Sequence, residues 1–183
     1  MMKLIRRAVG VLFLAMVLVT PGPARAANSN GPYYATPSWD QQLPCDTQAT
    51  CPRFIVLLNW NSEAVLDRET GLVWEQSPST STFWANAQTH CNKLTVGNRL
   101  GWRLPTLQEL ASLVDRSQSN PALPAGHPFS NVQSDLYWSA TTLAINASAA
   151  WDVVFVDGGV GGQDKSSTHF VWCVRGGQGV DPQ

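Results

Sequence analysis

The sequence predicts an α+β domain in which two short helices pack on an antiparallel sheet, joined by long irregular loops. Three observations carry that prediction. Two segments with helical apolar spacing come early, over residues 82–93 and 107–114. Short apolar runs follow over residues 135–140, 151–156 and 169–175, with turn residues between them. Gly, Pro, Ser, Thr and Asn fill the intervals, as expected of a fold with few long elements.

Residues 1–26 read as a secretory signal. Lys3, Arg6 and Arg7 form a basic start, residues 8–20 an apolar run, and Ala24-Arg25-Ala26 an A-x-A cleavage site. That run has 13 residues, against the roughly 20 that span a bilayer, so no permanent membrane anchor is expected. The mature chain then begins near Ala27, with no cysteine close by to carry a lipid. Its destination is the periplasm or the cell exterior. Residues 27–52 are rich in Asn, Pro, Ser and Gln, with isolated Tyr33, Tyr34 and Trp39. They read as an extended N-terminal arm whose aromatic rings dock on the body of the domain.

The domain itself is expected over residues 53–177, with a short tail over 178–183. Residues 54–59 predict a strand, and residues 64–66 and 72–75 a hairpin around Asp67-Arg68-Glu69-Thr70-Gly71. The spacing predicts a helix over 82–93, opened by a Ser/Thr cluster that supplies its N-cap. Trp84, Ala87, Cys91 and Leu94 recur at three- and four-residue steps, which places Cys91 on the buried face. Next comes Gly101-Trp102-Arg103-Leu104-Pro105-Thr106. Pro105 forbids helix before it and keeps Leu104 extended. Thr106 and Glu109 then form a capping box, in which each side chain satisfies a free backbone N–H. A second helix follows over 107–114, with Leu107, Leu110, Leu113 and Val114 on one face.

From Asp115 the chain is expected to wander through Asn120-Pro121 and Gly126-His127-Pro128. A small-residue loop over 141–150 separates the next two strands, and Asp157-Gly158-Gly159 turns the chain. A final strand over 169–175 carries Cys173.

Charge excludes some classes of partner. All 13 acidic residues lie beyond residue 26, whereas four of the 12 basic ones do not, leaving eight and a mature net charge of −5. Such a balance gives no general pull toward nucleic acid or anionic membranes. About 157 residues remain, enough for one domain with a real core, and all eight tryptophans are among them.

Four cysteines in an exported chain read as two disulfides, for which three connectivities exist. The preferred pairing is Cys45 with Cys51, closing a small loop in the arm, and Cys91 with Cys173, tying a helix to the last strand. Their spacing matches no zinc pattern.

No residue is assigned a catalytic role. His90, His127 and His169 are isolated from one another, with no H-E-x-x-H and no G-x-S-x-G. Arg103 is read as fixing the helix entry rather than as half of a functional pair with Glu109. The run from Asp157 to Asp164 is close to a calcium-binding glycine-aspartate nonapeptide, but its spacing is off by one and it occurs once. Six to eight oxygen ligands need stacked repeats. A flexible hairpin loop is therefore preferred, no cofactor is assigned, and calcium stays the alternative. Tyr137, Trp138 and Trp151 flank the 141–150 loop, where rings could stack on sugar faces; inward packing is the competing reading, favoured for Trp138 and Trp151. The loops over 141–150 and 157–168, with Asp157 and Asp164, form the candidate binding surface.

The ordered motifs resemble the Lcl C-terminal domain, the C-terminal domain family of bacterial collagen-like adhesins, which has a C-type-lectin-like fold. The matching residues are Thr70-Gly71-Leu72-Val73-Trp74, Trp84 with Ala87 and Cys91, the run from Gly101 to Thr106, Glu109-Leu110, and Leu113-Val114-Asp115. Tyr137-Trp138-Ser139, Trp151, Phe155, Asp157-Gly158 and Cys173-Val174-Arg175-Gly176 continue the likeness, over roughly residues 53–177. The resemblance implies a helix cross-linked to the final strand, in agreement with Cys91–Cys173. It also implies an exported, non-enzymatic adhesion domain that recognises carbohydrate or protein. This sequence lacks the collagen-like repeats of the best-known members, and like charges would repel a sulfated polymer. The calcium-ligand triplets of C-type lectins are absent, Trp151-Asp152-Val153 being a partial echo. Formylglycine-generating oxidases share the broad fold, but they would require two reactive cysteines near the C-terminus, where only Cys173 stands. A structural subunit of an envelope complex, docking through the arm, is the other alternative.

Overall fold

The structure, a computed structural model, describes residues 52–78 and 80–176. The signal segment, Cys45, Cys51, most of the arm and the tail lie outside the described residues. The chain begins with β1 (Phe54–Val56), β2 (Ala64–Asp67), β3 (Val73–Glu75) and β4 (Ser81–Phe83). It continues with α1 (Trp84–Lys93), β5 (Trp102–Arg103) and α2 (Leu107–Ala111). After a long irregular stretch come β6 (Leu136–Leu143), β7 (Asn146–Val154), β8 (Gly159–Asp164), β9 (Thr168–Phe170) and β10 (Val174–Arg175). The class is α+β, as expected.

The expected single sheet is instead two. One has the order β1-β2-β3-β10-β5 with every pair antiparallel. The other has the order β4-β9-β6-β7-β8 and is antiparallel except where β6 and β9 run parallel. The expected final strand over 169–175 divides between them: His169 pairs in the second sheet and Val174 in the first. Residues 171–173 make the crossing, all buried.

Both faces of the central strands are covered. Trp74, Tyr137, Val153, Trp172 and Val174 enter one apolar cluster together with Leu110 and Leu113. Their neighbours Val73, Trp138, Val171 and Cys173 enter a second cluster, with Ala87, Cys91 and Trp102. Strands buried on both sides read as continuous apolar runs, so no polar alternation reveals which face is which.

Several boundaries move for tertiary reasons. The Ser/Thr cluster before α1 is not its cap: Ser81, Thr82 and Phe83 pair with β9, and Phe83 stands at the N-cap without a side-chain bond. Pairing with a neighbouring strand here overrides the local capping preference. The strand expected over 54–59 stops at Val56, and Leu58–Trp60 forms a short 3-10 turn. α2 ends at Ala111, where the Ser112 hydroxyl donates to the Glu109 carbonyl at 2.7 Å. The loops expected over 141–150 and 157–164 are largely strand: β6 and β7 leave two residues between them, and β8 fills the glycine run. Small residues there allow close strand packing rather than marking flexibility.

Candidate functional site

The segment from Trp102 to Glu109 is a bracket built from paired charges and caps. Glu109 donates its backbone N–H to Thr106 Oγ1 at 3.2 Å and accepts the Thr106 N–H on Oε2 at 2.9 Å. The same carboxylate receives Arg103 through two bonds of 2.7 and 2.6 Å. Arg103 also donates to the carbonyl of Gly176 at 2.7 Å, tying the helix entry to the end of the last strand. The Trp102 indole N–H donates to the carbonyls of Val96 and Arg99. Pro105 is buried, and its carbonyl accepts from Ala140 at 2.7 Å, so the bracket carries β6. Cys91 and Cys173 are joined in a disulfide that links α1 to the strand crossing.

The expected ligand-binding side chains are not gathered in one place. Tyr137 and Trp138 are both fully buried, a correction to the assignment of both as ligand-binding residues, although inward packing is the reading the sequence favours for Trp138. As adjacent strand residues they point to opposite faces. Tyr137 packs against Phe155, Phe170 and Trp172, and its Oη accepts the Gln133 N–H at 2.8 Å. Burial pushes its phenol up to about 12. Trp138 donates to the Thr82 carbonyl at 3.0 Å and lies against the His169 ring. Asp157 is exposed and accepts the Gly159 N–H at 2.9 Å, which closes the turn into β8. Asp164 is exposed at the far end of β8, where its carbonyl accepts from Ser167.

Trp151 is half-buried in the middle of β7, opposite Gly162 on β8. Leu143 lies over Gly162, so close that a Cβ there would meet its Cδ2 at 2.8 Å. Val160 is on the same face two residues before, with 42 % of its surface exposed, and Ile145 at the β6–β7 tip is 94 % exposed. Lys165 braces this ribbon. Its Nζ donates to Thr142 Oγ1 and to the Ala147 carbonyl, both at 2.9 Å, and sits 4.0 Å from the Trp84 ring centroid. The β6–β7 tip thus stands on a stiff ribbon with Ile145 facing water, while Val160 lies at the opposite end beside the β7–β8 turn.

Residues 63–175 match the Lcl C-terminal domain family. The chain belongs to that family. No curated protein matches the chain.

In this Lcl C-terminal domain the sequence reading missed a buried polar row. Asp152 on β7 stands opposite Trp138 on β6 and Gly161 on β8, with no exposed surface. Neither of its carboxylate oxygens has a hydrogen-bond partner among the described residues, and burial pushes its pKa up to about 6. Gly161 is the signal that was available: a Cβ there would come 3.1 Å from Asp152 Oδ1. Half-buried Glu75 on β3 is a second acid shifted upward. Burial lifts it to about 7, partly offset by a hydrogen bond from the backbone of Cys173. Burial also lowers His169 and His127 below the usual histidine range. No three His, Cys, Asp or Glu side chains come together as a metal-binding group among the described residues. No helix among those residues is long and apolar enough to cross a membrane.

Proposed function

We propose that this chain is an exported, non-catalytic recognition domain with a C-type-lectin-like scaffold. It binds a carbohydrate or protein ligand through the outer end of the β6–β7–β8 ribbon. The observation that carries this reading is the contrast along that ribbon: its root is buried core, while Ile145 at the β6–β7 tip is 94 % exposed and Trp151, between the two, is half-buried. Apolar side chains held out by a rigid support are what a recognition surface requires.

Membership of the Lcl C-terminal domain family supports an adhesive role. The Cys91–Cys173 bridge supports export, since disulfides persist in oxidising compartments. It also ties both sulfurs into structure, where an oxidase of the formylglycine-generating type would need them reactive. The reading assigns no cofactor and no nucleic-acid partner.

The test is a binding screen of the mature chain against immobilised glycans and purified surface proteins. Saturable binding that vanishes when residues 142–148 are replaced by a short Gly/Ser link, with the melting temperature retained, supports the proposal. Binding that survives the replacement contradicts it.

A further inference from the structure

A second exposed corner is built from the other sheet. The turn Leu58–Trp60 stacks on the turn Val96–Asn98, and the backbone at Asn61, Ser62, Gly97 and Asn98 is left-handed in both. Gly97 lies so close to Trp60 that a Cβ would sit 2.8 Å from the indole, and its N–H donates to Glu63 Oε2 at 2.9 Å. Glycine and asparagine adopt this backbone readily, so Ser62 alone is strained, and Gly97 is required by the close approach of Trp60.

Two guanidinium groups converge on the one ring that this packing fixes. Arg99 and Arg175 place their Cζ atoms 5.3 and 5.5 Å from the Trp60 ring centroid. Arg175 donates through Nε to the Leu100 carbonyl at 2.8 Å, which orients the group and leaves its terminal nitrogens without a hydrogen bond among the described residues. Neither arginine forms an ion pair among the described residues, whereas Arg53 and Arg103 are both paired with carboxylates. Leu58, 79 % exposed, opens the first turn, and Leu100, 71 % exposed, follows the second by two residues.

We infer that this corner docks an acidic peptide segment, with carboxylates on Arg99 and Arg175 and an apolar side chain against Leu58 and Leu100. The guanidinium fork matches carboxylate geometry, and stacking on the indole holds it ready at low entropic cost. A peptide fits better than a sugar because Trp60 is only 2 % exposed and offers no flat face for stacking, while two aliphatic side chains are open. The site is separate from the ribbon and does not depend on it.

The experiment is fluorescence anisotropy of the mature chain with a dye-labelled peptide alternating aspartate and leucine. Saturable binding is expected, weakened about tenfold or more in Arg99→Ala and further in the Arg99→Ala/Arg175→Ala double variant. Exchanging aspartate for asparagine in the peptide abolishes it, and exchanging leucine for serine weakens it. Should the double variant fail to fold, Arg99→Glu decides alone, since Arg99 is exposed and its hydrogen bonds among the described residues are made by the backbone. The inference is overturned by absence of saturable binding, by wild-type affinity in a folded Arg99 variant, or by equal binding of the asparagine peptide. Displacement by polygalacturonate as effectively per carboxylate as by the peptide also overturns it, and assigns the corner to a polysaccharide.

Discussion

Removing the Arg53 guanidinium exposes how one buried charge depends on its partners. Asp67 has no exposed surface, accepts from Arg53 at 3.0 and 2.8 Å, and receives the Glu69 N–H at 3.0 Å. Arg53 also donates to the Ser112 carbonyl at 2.7 Å, tying β1 and β2 to the end of α2. Arg53→Ala leaves that carboxylate unpaired and should cost about 3 kcal/mol or more in urea denaturation. Glu75 behaves in the opposite sense. Its folded pKa of about 7 lies above its ordinary 4.5, so its favourable share of stability is complete below pH 4.5 and lost as pH rises through 7. Asp152 follows the same sign through about pH 6. His127 and His169 are lowered and oppose both, losing stability below pH 6.5. The comparison with variants separates them: Glu75→Gln should gain on the wild type from pH 5 to pH 8, by at most about 3 kcal/mol in thermal melts. A constant difference across that range would show that the pKa of Glu75 is not raised in the fold.

α2 is short enough that its cap decides whether it forms. Thr106→Ala should cost about 1 kcal/mol, while Glu109→Ala should cost more, because Glu109 caps the helix and also receives Arg103 at 2.7 and 2.6 Å. Equal losses in chemical denaturation would contradict that dual role. This element was legible because Pro105, Thr106 and Glu109 act over five residues, and local chemistry of that kind is written in order along the chain. The β2–β3 hairpin was legible for the same reason, through its turn residues. The ribbon was not. Residues 141–150 carry Ala, Ser, Asn and Thr, a composition that reads as loop, and only pairing between β6, β7 and β8 makes them strand. Tyr137 and Trp138 could not be sorted by periodicity because both faces of β6 are buried. The structure thus buries Tyr137 and Trp138 and spreads Trp151, Asp157 and Asp164 along β7, β8 and the turn between them instead of gathering them.

The whole molecule is held by a bond between its middle and its end. The Cys91–Cys173 bridge closes a span of 82 residues that includes α2, the long irregular stretch and all of β6–β9. Loop-closure entropy gives it about 4–5 kcal/mol, so a Cys91→Ser/Cys173→Ser variant should melt far below the oxidised chain. The bridge, the Arg103 bracket and the two apolar clusters together fix the root of the ribbon, which leaves its outer end free to meet a ligand. Calorimetric titration of the ligand recovered from the screen, into the wild type and into Ile145→Asp and Trp151→Ala, tests that division most directly. Affinity should fall about tenfold or more in both variants while their melting temperatures stay near the wild type. Undiminished affinity in both would place recognition elsewhere and overturn the role given to the ribbon.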